Sequence, residues 1–268
     1  MHYRVVDGSG EITTDLPIVL NSKPMIHDCA ITNNYVLIFD LPVTFNTSRR
    51  NKDENASDYP VVWDDNYSSK LGLLNRNTNE IKWIEVPNCF LFHVVNSYED
   101  SSGKVILDFC RYDKLFDFNN PLPFGKKPFL TRWEIDTIKE TCVEKLLDDR
   151  PMEFARIHPD LEGKEYRFSY ILNDGALNNL FKYDFLKDRN EVHHLGEHKK
   201  GAEPVFIPKI DQTSEDSGYV VGFVYDQEAD KSEFIIIDAE NFSEEPLARI
   251  QLPSRVPFGF HGSWINLD

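Results

Sequence analysis

Residues 130–147, "LTRWEIDTIKETCVEKLL", decide the fold, because they read as two strands folded about a turn. An apolar strand runs to Ile135, Asp136 opens a polar tip, and a second run returns to Leu147. The same grammar recurs in "LGLLNRNTNEIKWIEVP" (71–87), "LFKYDFLKDRNEVHHLG" (180–196) and "FIIIDAENFSEEPLARIQLP" (234–253). Their turn residues, Asn77, Asp136, Asp184 and Asp238, stand 59, 48 and 54 positions apart. A hairpin repeated about every 50 residues fits propeller blades better than a sandwich. The polar turn side chains have a structural task, since such a carboxylate can accept a bond from the chain two residues on.

Outward from these repeats, nearly every segment is a β-branched or aromatic run of strand length. Examples are "YVLIFDLPV", "FLFHVV", "KVILDFCRY", "YRFSYIL" and "YVVGFVYD". Aromatic residues reach 13%, and the 15 prolines and 13 glycines fall between the runs as punctuation. No 3.6-residue stripe is convincing, so the sequence predicts an all-β protein. Four or five blades account for 268 residues. The opening "MHYRVVDGSGEITTDLPIVL" already reads as a mid-sheet hairpin, which predicts further sequence upstream. One stretch breaks the pattern: "TFNTSRRNKDENASDYP" (44–60) is polar and is expected to be a solvated rim loop.

The formal charge is -16, from 29 basic and 45 acidic side chains. Such a surface repels phosphate backbones and anionic lipid, so no nucleic-acid partner is expected. No run has the length of a membrane span, and the N-terminus lacks the blocks of a signal peptide. Cys29, Cys89, Cys110 and Cys142 are widely spaced with no C-x-x-C pair, which argues against a disulfide framework or zinc ribbon. A reducing, cytoplasmic setting is the expectation.

The eight histidines divide by neighbourhood. His193, His194 and His198 cluster in "EVHHLGEHKK", a polar tip that reads as solvated. His27, His93 and His261 instead have apolar neighbours on or beside strands, where an unsatisfied imidazole is costly. Singly, each reads as a hydrogen-bonded core histidine. On separate blades, however, they can converge, because a propeller aims the inner strand of every blade at one axis. A cluster of neutral imidazoles there would be a metal site. Ligating imidazoles need an acceptor for their other nitrogen. Glu153 in "RPMEFARIHP" and Glu203 in "KKGAEPVFIP" have the apolar company that suits that task, or else are surface glutamates at strand ends. Glu215, before a glycine turn, reads as solvated.

Five motifs in unbroken order resemble the carotenoid cleavage oxygenase family. They are "MIHDCAITNNYVLIFDLPV", "EVPNCFLFHVVNSYED", "DDRPMEFARIHPDLEGKEYRFSY", "GAEPVFIP" and "RVPFGFHGSW". The family includes carotenoid and apocarotenoid dioxygenases, lignostilbene dioxygenases and a retinoid isomerase. The resemblance implies a seven-bladed propeller holding a non-haem Fe(II) at its axis by four histidines, with three supporting glutamates. It implies that His27, His93 and His261 are the second, third and fourth ligands, with Glu153 orienting His93 and Glu203 orienting His261. The first ligand and third glutamate would lie upstream, making residues 1–268 the C-terminal part of a single propeller domain. Spacing alone does not name iron, since imidazole also suits zinc and copper.

The implied reaction is cleavage of a conjugated double bond in a hydrophobic polyene or stilbene, with both atoms of O2 ending in carbonyl products. An isomerohydrolase on the same iron scaffold, or a non-catalytic propeller, are the competing readings. Relatives that extract substrate from bilayers tend to carry an apolar patch in the loop after the "DLP" strand. Here that loop is polar, so at most peripheral membrane contact is expected.

Overall fold

The computed structural model describes residues 1–46, 59–118 and 127–265. Strands β1 (His2–Val6) and β2 (Ile12–Pro17) form an antiparallel hairpin. The first blade follows: β3 (Ala30–Ile31) and β4 (Tyr35–Asp40) are joined in it by β7 (Lys70–Asn75) and β8 (Ile81–Glu85). A side hairpin, β5 (Val43–Phe45) with β6 (Val61–Trp63), interrupts it. Most of the polar loop, residues 47–58, lies outside the described residues.

The second blade is β9 (Phe90–Glu99), β10 (Val105–Tyr112), β11 (Pro128–Asp136) and the first part of β12 (Thr141–Ile157). β12 is 17 residues long and serves two blades. Its residues 141–146 pair with β11, and Met152 to Ile157 pair with β13 (Phe168–Asn173), which opens the third blade with β14 (Asn179–Asp184) and β15 (Arg189–His194). In the fourth, β16 (Lys199–Gly201) and β17 (Val205–Pro208) both pair with β18 (Gly218–Asp226), followed by β19 (Lys231–Asp238) and β20 (Ala248–Gln251).

The sheets stack face to face, and their apolar faces explain the unbroken hydrophobic runs. Leu37, Phe39, Leu71 and Leu73 of the first blade pack on Leu107, Phe109, Trp133 and Ile135 of the second. Ile106, Cys110 and Leu130 meet Met152, Ile171 and Phe181, and Tyr170, Leu172 and Leu180 meet Phe206, Val220 and Ile235. Both faces of a middle blade are thus buried, so strict alternation is lost. Consecutive four-stranded sheets packed this way, with β3, β9, the end of β12 and β17 adjacent along one line, are blades about a propeller axis.

The turn grammar survives with one correction. Asp136 accepts N–H bonds from Ile138 and Lys139, Asp184 from Lys187, and Asp238 from Glu240. In the first blade the acceptor is Asn75, which takes the N–H of Asn77 and of Thr78, so the turn side chain sits two residues before the one expected. Among the described residues no helix is long and apolar enough to cross a membrane. The four cysteines are free, with Cys89 and Cys110 buried.

Gly218 shows how tightly the fourth blade is closed. A Cβ there would stand 2.6 Å from the Ile207 carbonyl oxygen and run into the Phe206 ring. A backbone atom cannot swing aside, so β17 would have to move. Gly218→Ala should therefore cost about 1–3 kcal/mol in urea unfolding. Gly8→Ala, with nothing within 4 Å of its new Cβ, should leave the midpoint unchanged.

Candidate metal centre

In a regular strand, neighbouring side chains face opposite ways. The inner strands break that rule where the candidate residues lie. The β9–β10 ladder slips between Asp108 and Arg111. Phe92 and His93 both turn to His27 there, with ring centroids 5.0 and 5.4 Å away. The β12–β13 ladder slips between Glu153 and Arg156, with Phe154 at φ 56°. A bulky residue in the left-handed region is strained, and such outliers gather at functional sites. The slip lets Glu153 and Phe154 both meet His93: the carboxylate bonds its Nδ1, and the phenyl centroid lies 4.9 Å from the imidazole. On the fourth blade, the four steps from Gly201 to Val205 face three from Val224 back to Val221. Glu203 stands in that bulge, buried. Bulges re-aim side chains in this way.

The three histidines meet at the axis, each offering a ligand atom within 4.8 Å of the others. His27 precedes β3 and is set beside β9 by its neighbour Asp28, whose Oδ2 accepts the Val94 N–H at 2.9 Å. His93 comes from β9. His261 comes from the irregular segment after β20, not from the final strand its apolar neighbours suggest. Its Nδ1 lies 3.1 Å from Glu203 Oε1, while the Gly262 N–H donates to Oε2 at 2.9 Å.

An ionised carboxylate only accepts, so Nδ1 of His93 and of His261 carries the proton. In the neutral imidazoles each Nε2 is then a bare lone pair, and the two face each other at 3.4 Å. Two imidazole nitrogens about 2.1 Å from one ion at a near-tetrahedral angle stand about 3.4 Å apart. The donor set therefore fits a cation between them, and all three donors are of the type that first-row transition metals favour.

Electrostatics agree. Partial desolvation, then the neighbouring His93, push the His27 pKa below its ordinary value. Burial also works against charge on His93, but the hydrogen bond and charge of Glu153 outweigh it and hold that pKa above its ordinary value. His93 therefore binds protons more readily than His27, and a metal bound there would have to displace them. Glu153 is buried against Tyr112, whose phenol is pushed far up by burial first and the Glu153 charge next.

All five residues expected from the sequence converge. Glu153 and Glu203 are 4% and 6% exposed, which rules out the surface reading. Among the described residues His27 and His261 are exposed, and His93 is half-buried. The polar histidine tip divides: His194 and His198 are exposed, but His193 is buried with Nδ1 3.1 Å from the Phe242 carbonyl. Glu215 is not solvated either, since it accepts the N–H groups of Arg167 and Phe168 at the head of β13. Sequence reading missed Asp28, Phe154 and Arg156, whose only signal is adjacency to the glutamate and histidine motifs.

A pocket of about 180 Å³ holds His27, His93 and His261. An apolar cleft of about 450 Å³, lined by Phe223, Phe258, Phe260 and Trp264, shares His261 and Glu203 with it.

Comparison with known proteins agrees with this architecture. The family described as "RPE65: Retinal pigment epithelial membrane protein" matches residues 1–266. A carotenoid cleavage oxygenase of Mycobacterium tuberculosis is 27% identical, over 98% of this chain and 62% of its own length. The carotenoid 9,10(9',10')-cleavage dioxygenase 1 of Phaseolus vulgaris is 30% identical, over 98% of this chain and 53% of its own. The crystal structure of cobalt-substituted Synechocystis ACO superposes with a TM-score of 0.89 at 26% identity, covering 98% of this chain and 58% of that one. The chain thus spans somewhat more than half the length of these relatives. With a propeller of stacked blades, histidines meeting at its axis and a match over residues 1–266, the chain belongs to the RPE65/carotenoid cleavage oxygenase family.

Proposed function

We propose that this chain carries the metal-holding part of a non-haem Fe(II) dioxygenase. The enzyme would cleave a conjugated C=C bond of a carotenoid, apocarotenoid or stilbene with O2, giving two carbonyl products. The observation that carries the reading is the facing pair of Nε2 atoms at 3.4 Å, each imidazole backed by a buried carboxylate. The names of the relatives support the substrate class and the use of oxygen.

His27, His93 and His261 would hold the ion, with Glu153 and Glu203 fixing the tautomer of two of them. Bound ferrous iron supplies open coordination positions and the redox chemistry that O2 activation needs. The chain's own part is to position and to exclude water. Phe154 covers His93 and approaches His261 at 6.0 Å, narrowing access to the imidazoles. The apolar cleft beside His261 would hold an extended hydrophobic substrate next to the metal. A reducing, cytoplasmic setting with at most peripheral membrane contact belongs to the same reading, supported by four unpaired cysteines.

His261→Ala should abolish stoichiometric Fe(II) binding, measured by metal analysis after anaerobic loading; unchanged content would remove this residue from the ligand set. Glu153→Gln should weaken Fe(II) about 10–100-fold, because the imidazole loses its anchor. In the metal-free chain the same substitution should lower the His93 pKa, followed by NMR, because the carboxylate that raises it is gone. The sign follows for stability too. The raised His93 pKa contributes stability below its unfolded value, lost as pH rises through the folded one, and Glu153→Gln should flatten that slope. For the reaction, turnover under ¹⁸O2 should label both carbonyl products. Label-free products would point to isomerohydrolysis.

A further inference from the structure

We propose that Arg156 is the positioning residue of His261, latching the C-terminal segment onto the inner strand of the third blade. The inference rests on the metal-site reading for its functional consequence, though its geometry does not. Residues 252–265 contain no strand, so no ladder sets where His261 stands. The segment leaves β20 with Leu252 N–H on the Ser232 carbonyl and Val256 N–H on Ser232 Oγ. At the axis it is held by Glu203, which takes His261 Nδ1 on one oxygen and the Gly262 N–H on the other.

Glu203 does not act alone. The Arg156 guanidinium donates from Nη2 to Glu203 Oε2 at 2.9 Å and to the Gly262 carbonyl at 3.1 Å, while Nε stands 2.9 Å from Oε1. One planar group therefore touches both carboxylate oxygens and the peptide that follows the histidine. This neutralises a glutamate whose side chain is only 4% exposed, and it fixes which oxygen faces the imidazole. A lysine could offer one point charge but not this spread of donors.

The origin of Arg156 adds a consequence. It lies on β12 three residues beyond Glu153, across the slip in the ladder. β12 thus supports His93 directly through Glu153 and His261 at one remove through Arg156 and Glu203. One strand thus contributes to the support of both imidazoles, whose Nε2 atoms stand 3.4 Å apart. A residue whose guanidinium bonds the carboxylate and the tail peptide is placed to tune ligand geometry rather than to react.

The test uses the 268-residue chain, metal-free and with Co(II) as probe. In the metal-free chain, Arg156→Lys should speed amide exchange at Gly262 roughly fivefold or more while exchange in β9 stays unchanged. Arg150→Lys, on the same strand but paired with Asp148, should alter neither. With Co(II), Arg156→Lys should weaken binding about tenfold and change the visible spectrum. Its effect should be non-additive with Glu203→Gln and additive with Glu153→Gln. The neutral pair Arg156→Gln with Glu203→Gln leaves no unpaired buried charge, and it should show the same loss of Gly262 protection. Wild-type exchange at Gly262 in both backgrounds, or additivity with Glu203→Gln, would overturn the proposal. Failure of the unaltered chain to bind Co(II) would instead defeat the metal reading, with Gly262 exchange still deciding the latch.

Discussion

A buried carboxylate must be paired, and at this axis two of them are. Removing a glutamate from water costs several kcal/mol unless charge or hydrogen bonds replace the solvent. Glu153 meets His93, and Glu203 meets both His261 and Arg156. Once each carboxylate is paired with an Nδ1, the opposite face of each imidazole has no freedom left. Both Nε2 lone pairs point inward, toward each other, an arrangement that is repulsive without a cation between them. The position of the proposed metal centre thus follows from the need to pair two buried acids.

The backbone had to be bent to bring those acids to the axis. A regular edge strand would show the axis every second side chain, and Glu153 with Phe154, or Phe92 with His93, could not both contribute. Slips in the β9 and β12 ladders, and the bulge between β16 and β17, supply the extra residues. The strain at Phe154 is supported by the sheets behind it, where Met152, Ile171 and Phe181 are packed between the second and third blades. The stacked core therefore does more than hold the blades together. It is the rigid support against which a distorted inner strand can be held.

Much of this was legible in the sequence. The all-β class followed from strand-length runs and the repeated hairpin, and Asp136, Asp184 and Asp238 work as turn acceptors as read. The histidines and glutamates of the site were legible because apolar neighbours make a polar residue conspicuous. The misreadings share a cause. His193 and Glu215 sit in polar stretches, but tertiary contacts from Phe242 and from the Arg167 backbone bury or engage them. Asn75 and Asn77 are alike in type, and local sequence does not say which of the two turns its side chain inward. Bulges leave no compositional trace at all, so Phe154 was invisible. Arg156 was too, because a charged residue in a strand ordinarily reads as solvated.

His261 shows where pattern reading reaches its end. Aromatics on both sides of it suggested a strand, yet Phe258 and Phe260 are exposed and line the cleft instead of a sheet. The segment has no register to inherit from a ladder, so its geometry must come from side chains. An irregular segment bearing a proposed metal ligand would ordinarily be a weak link, since loops are the least stable parts of a fold. Here its anchors are charge-assisted bonds to a carboxylate fixed inside the wall, which are stronger than neutral ones and directional. The same lack of a ladder leaves the aromatic side chains of the segment free to face the cleft. One stretch of chain can therefore supply both the imidazole of His261 and an apolar surface beside it, which a paired strand, with its alternating faces, would find hard to do.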